Sequence, residues 1–194
     1  MALIDRERVV TPLRAVALAS AHRARLPDWC DALVEEQDRW LVLGQGPERA
    51  ERDPEDYSQE LELTSVDDLI EAASRSEPAS PGAVLMRRAR PTRLLAVVHD
   101  LERHPTVDPS WVSQSLTTIM RLATRSGMRG LALPILGHQS RPRDVEAFGE
   151  LLADALLNAG PARLRIALLA EPGLTGRVAA TLRETAPEIH VEAI

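Results

Sequence analysis

Lysine is absent from this chain of 194 residues; all 23 basic residues are arginine. That excludes a Schiff-base lysine, the lysine of a phosphate-binding P-loop and a Ser-x-x-Lys nucleophile pair. Any phosphate recognition must come from arginine, backbone N–H groups or hydroxyls. Cysteine occurs once, at Cys30, which rules out an intrachain disulfide framework and a multi-cysteine zinc site. Cys30 reads as a buried structural thiol, and no family signature around it marks a nucleophile. No apolar run approaches the roughly 20 residues that span a bilayer. The opening "MALIDRERVV" carries charges where a signal peptide needs an apolar stretch, so a cytoplasmic protein is expected. There is also no Gly-x-Ser-x-Gly elbow, no His-Glu-x-x-His pair and no carboxylate cluster with metal spacing. Neither a metal nor a cofactor is expected.

What is present is ordinary for a soluble globular domain: 44% hydrophobic and 27% charged residues. The formal net charge of −6 argues against broad nucleic-acid binding, which needs a basic surface to neutralise phosphates. One local basic stretch, "RRARPTR" from Arg87 to Arg93, reads as a solvated connection that a single anion can still approach. The three tryptophans, Trp29, Trp40 and Trp111, are scattered and read as core or interface residues.

Strand and helix patterns alternate along the chain. "LRAVALA" and "RWLVLGQG" read as strands, with a short helix between them over "LPDWCDALVEEQ", Asp28 near its start. An acidic loop follows, at about 45–60. Next come an exposed strand "ELELTS" and a helix capped by Ser65 over "SVDDLIEAASRS". The second half is more regular. "TRLLAVVHD", "GLALPIL" and "ARLRIALLA" are buried strands, and "EIHVEAI" is a last, edge strand. Asp108 caps a helix with Pro109 at its first position, and Val112, Leu116, Ile119 or Met120, and Ala123 share one face. Pro142 opens a long helix over "RPRDVEAFGELLADALLNAG", with Val145, Phe148, Leu152 and Ala155 as its apolar stripe, and Gly160 ends it. "TGRVAATLRETAP" is a further helix. The pattern predicts one domain over 1–194: a three-layer α/β/α sandwich with a mixed, largely parallel central sheet.

Ligands of open α/β sheets bind beyond the C-terminal ends of the strands. One such end carries Gly137, His138, Gln139, Ser140 and Arg141, between a buried strand and a helix start, where backbone N–H groups favour an anion. The competing reading is a plain connection in which Gly137 turns the chain, Ser140 caps the helix and His138 is solvated. A second end carries Ser20 and His22. At a third, His99 and Asp100 are adjacent in sequence. Neighbours on a strand point to opposite faces, so adjacency makes no dyad, and a structural role is expected. "GQG" at Gly44–Gly46 lacks the third glycine of a dinucleotide fingerprint.

Several stretches taken together, "RLLAVVHDL", "SLTTIMRLATRSGMRGLALPILG", "VEAFGELLADAL" and "LRIALLAE", resemble macro domains. Upstream, "SPGAVLM" and "VVTPLRAVALASAHR" are similar in outline to segments of the same family. The resemblance implies a site for ADP-ribose or a related nucleotide. Nearly every position that would carry it is changed: Val9 stands for an aspartate, Ser20-Ala21-His22-Arg23 for an asparagine-bearing end, and "GHQSRP" for a glycine-rich loop. The expectation is a macro-domain-like module with a degenerate site. It would take a nucleotide-type small molecule or an ADP-ribosylated protein, or act through a protein partner or a homo-oligomer. Ser20, His22 and Gly137 to Arg141 are its binding candidates; neither membrane nor nucleic acid is an expected partner. Two alternatives stand beside it. One is an ADP-ribosyl glycohydrolase with altered catalytic residues, with His22 or His138 as acid–base candidates. The other is a non-binding scaffold. The N-terminal domain of leucyl aminopeptidases shares the architecture.

Overall fold

The computed structural model describes residues 14–21, 25–41, 78–137, 145–159 and 163–193. Within them, runs of β-branched and aliphatic residues form seven strands of one sheet: β1 (Arg14–Ser20), β2 (Ala32–Asp38), β3 (Val84–Arg87), β4 (Thr92–His99), β5 (Gly130–Leu133), β6 (Arg163–Leu168) and β7 (Ile189–Ala193). The described helices are α1 (Pro109–Arg125), α2 (Val145–Asn158) and α3 (Pro172–Thr185). The sheet order is β3-β4-β2-β5-β6-β1-β7. Every neighbouring pair is parallel except β3 with β4. This is the mixed, largely parallel α/β architecture that the alternation predicts.

Alternation along the strands divides the sheet into two faces. Val16, Leu18, Val34, Leu94, Leu131, Leu133, Ile166 and Leu168 join the core that the helices cover. Leu33, Ala132 and Ala167 point the other way, against Leu26, Trp29 and Cys30. The predicted stripe of α1 is the buried one: Val112, Leu116, Ile119, Met120 and Ala123 are all within 4% of full burial. Each large side chain so buried contributes about 1.5–3 kcal/mol. Asp108 caps α1 as expected, its Oδ1 accepting the Ser110 N–H at 2.8 Å, with Pro109 in the first turn. α3 starts earlier than its sequence pattern suggests, because Pro172 takes the first helical position after Glu171. The α2–α3 packing is close: a Cβ on Gly149 would stand 2.8 Å from Thr181 Cβ.

One predicted element is overturned. Residues 26–37, expected to be a short helix, turn at Asp28–Trp29 and then run as β2, between β4 and β5. Asp28 therefore does not start a helix. Ala32, Val34 and Leu33 are wanted on the two faces of the sheet, and that burial outweighs the helical preference of the acidic residues that follow. Arg39–Leu41, expected to open the next strand, instead form the turn that leaves β2. The acidic loop at about 45–60, the strand over 60–65 and the helix capped by Ser65 lie outside the described residues.

Candidate functional site

β2 ends in four polar residues, Glu35 to Asp38, at the middle of the sheet. Burying carboxylates costs several kcal/mol unless each is paired. The structure supplies the partners from far along the chain. Arg93 on β4 lies 3.7 Å from Glu35. Asp38 Oδ1 accepts the Trp40 N–H at 2.6 Å. Glu36 spans three segments: Oε1 accepts the Gly137 N–H at 2.8 Å, and Oε2 lies 2.9 Å from His99 Nε2. An ionised carboxylate only accepts, so in this pair Nε2 carries the hydrogen. The Gln37 Oε1 and Arg39 Nε atoms are buried without a hydrogen-bond partner among the described residues.

A second cluster sits at the end of β4. Asp100, 1% exposed, takes Arg39 at 3.3 Å and Arg103 at 3.4 Å on Oδ2, while Oδ1 accepts the Glu102 N–H at 3.1 Å. His99 and Asp100 thus have separate partners and form no dyad, in line with the structural role read from sequence. The loop from Asp100 to Asp108 that they order packs onto the loop after β5. Gly137 has φ +78°, and a Cβ there would stand 3.0 Å from Val107 Cγ1. Only glycine meets both demands easily.

The geometry of the crevice follows from where the ladder stops. β2 pairs with β4 from Ala32–Thr92 to Asp38–His99, but with β5 only at Ala32–Leu131 and Leu33–Ala132. Pro134, directly after β5, has no N–H with which to continue the ladder. Beyond Leu33 the backbones of β2 and β5 are unpaired, and the Glu36 carboxylate reaches from one to the Gly137 amide of the other. At the opposite end of the same junction, Asp31 Oδ2 accepts the Arg129 and Gly130 N–H groups at 2.7 and 3.0 Å.

Of the seven binding candidates read from the sequence, two are described. Ser20 stands at the tip of β1, in register with Leu168 of β6, which is itself in register with Leu133 of β5. The tips of β1, β6 and β5 are therefore side by side. The Ser20 hydroxyl donates to the Ala170 carbonyl. Gly137 lies four residues beyond the β5 tip, and its N–H is taken by Glu36. His22, His138, Gln139, Ser140 and Arg141 lie outside the described residues, as do Gly44 and Gly46. Cys30 is half-buried at the N-terminal end of β2, away from the tips, with Sγ donating to the Ala32 carbonyl at 3.0 Å. Burial pushes its thiol pKa up, which opposes a nucleophilic role. Trp29 and Trp111 each lie 6.0 Å from an arginine, Arg165 and Arg103. Among the described residues, no group of three or more His, Cys, Asp or Glu could hold a metal ion, and no helix is long and apolar enough to cross a membrane.

Sequence reading missed Glu36, which it placed in a helix, and Arg39, which it placed in a strand and not in the turn after β2. Nothing local marks them: their partners are 61 to 101 residues away in the chain.

No protein-family profile and no curated protein matches the chain. Solved structures do. The macrodomain of Thermus aquaticus DarG is similar at 18% identity and a TM-score of 0.56, over 80% of this chain and 98% of that one. A variant Oceanobacillus iheyensis macrodomain with ADPR is similar at 10% identity and 0.54, over 88% and 90%. The Trypanosoma brucei macrodomain in complex with ADP is similar at 14% identity and 0.54, over 89% and 69%. With the strand order and the crevice already described, these likenesses identify what this chain has: a macro-domain fold.

Proposed function

We propose that the chain is a macro-domain-like module with an altered site, taking ADP-ribose or a related nucleotide diphosphate at the tips of β1, β6 and β5. The observation that carries this reading is the fold-level likeness to macrodomains solved with ADP and with ADPR, together with the adjacency of Ser20 and the Gly137 loop at one end of the sheet. The site is altered in a specific sense. The Ser20 hydroxyl and the Gly137 N–H are both spent on internal acceptors. Diphosphate recognition then falls to the residues after Gly137, where Arg141 is the cation of the sequence motif and Ser140 and Gln139 are neutral donors. His22 stands beside Ser20 in sequence and completes the candidate set.

Isothermal titration with ADP-ribose tests the reading. Heat of binding with a thermal shift is expected, and Arg141→Ala is expected to weaken binding while leaving the unfolding midpoint unchanged. A titration with no heat and no shift overturns it.

A further inference from the structure

Among the described residues, β3 is the edge strand at the opposite side of the sheet from β7. Its register on β4 runs from Val84–Ala96 to Arg87–Arg93, antiparallel. One bond fixes which groups face outward: the Val97 N–H donates to the Ala83 carbonyl at 2.9 Å. In an antiparallel ladder, bonded and non-bonded pairs alternate. Leu85 and Arg87 therefore direct their backbone groups at β4, and Val84 and Met86 direct theirs away from it. The same strand carries two of the three exposed large hydrophobic side chains of the described residues, Leu85 at 39% and Met86 at 53%. Arg88 and Arg90, both exposed, follow directly.

We propose that β3 is a docking edge for an extended acidic polypeptide segment, which adds to the sheet as an eighth strand. Outward N–H and C=O groups of Val84 and Met86 supply the backbone ladder, and Leu85 and Met86 supply apolar contact with alternate side chains of the segment. The charge of the occupant follows from what surrounds the edge. The chain as a whole has a net charge of −6, yet the exposed Arg88 and Arg90 form a basic cluster directly after the strand. A second copy pairing through β3 would bring this cluster near itself, and like charges at an interface are disfavoured. An acidic segment meets complementary charge instead. A nucleic acid would find the arginines but has no strand backbone with which to fill the ladder. The inference uses none of the residues assigned to the nucleotide site.

The test uses the full chain and a fluorescein-labelled peptide of alternating glutamate and valine. Anisotropy is expected to show saturable binding that weakens markedly with salt. Amide hydrogen exchange is expected to slow at Val84 and Met86 when the peptide is added. Met86→Pro removes an outward N–H and leaves the β4 ladder intact, since proline is tolerated on an edge whose N–H faces away. It is expected to weaken binding at least about tenfold. Arg88→Glu/Arg90→Glu, which changes only exposed side chains, is expected to do the same and keeps the test decisive if the proline variant fails to fold. The proposal is overturned by any of three results: no binding, binding unaffected by the arginine reversals, or equal binding of the peptide's charge-matched oligothymidylate.

Discussion

The Glu36 carboxylate accepts the Gly137 N–H at 2.8 Å, joining the tip of β2 to the loop after β5. Its other oxygen meets His99 Nε2 at 2.9 Å. Removing the carboxylate leaves a buried amide and a histidine that is 6% exposed without this acceptor. Orphaning a buried donor costs about 1–3 kcal/mol. Glu36→Ala is therefore expected to lower stability by about that amount in urea unfolding. Glu36→Gln keeps an acceptor for the amide, so it is expected to cost less. Equal losses for the two variants would show that charge, and not the hydrogen bond, is what matters at this position.

Gly149 lies in the middle of α2, where helix propensity alone favours alanine by about 1 kcal/mol. The neighbouring helix decides otherwise. A Cβ at Gly149 would stand 2.8 Å from Thr181 Cβ and 2.9 Å from its Cγ2, so the helices would have to separate. Overpacking of this kind costs roughly 1–3 kcal/mol. Gly149→Ala is expected to be destabilising by chemical denaturation. A stabilised variant would mean that α2 and α3 are not held at this distance.

Arg177 of α3 grips Glu146 of α2 with two hydrogen bonds of 2.7 Å each. That contact holds the Glu146 carboxyl below its usual pKa. A depressed carboxylate pKa contributes stability above the unfolded value, roughly pH 4.3, and that contribution disappears as pH falls through the lower folded value. The gap in melting temperature between the wild type and Arg177→Ala should thus be present at pH 7 and close below pH 4. Both side chains are solvent-exposed, so the gap should also shrink in high salt. A gap that persists at pH 2 would assign the effect of Arg177 to packing.

Elements whose burial follows a local period were legible from sequence. β4, α1, β5 and the body of α2 appear where their patterns put them, because each buries one continuous stripe or run. β2 was not legible. "ALVEEQD" ends in acids, and acids in a central strand are tolerable only when remote residues pair with them, as Arg93 does with Glu35 and His99 with Glu36. No window of neighbouring residues contains that information. The site divides the same way. Gly137 and Ser20 are visible as small residues closing apolar runs; Ser20 stands at the tip of β1 and Gly137 in the turn four residues beyond β5. Glu36 and Arg39, which help to organise the tips of β2 and β4, become visible only when the strands are assembled.

Two backbone register pairs and one bond from the Asp31 N–H to the Gly130 carbonyl stitch β2 to β5, with the Asp31 carboxylate fastening one end of the seam and Glu36 the other. The sheet is in effect two rafts, β3-β4-β2 and β5-β6-β1-β7, riveted by a pair of carboxylates. Removing either carboxylate frees one end of the seam, so the first cooperative breathing of an Asp31→Ala or Glu36→Ala variant should run along this line and not at either outer rim.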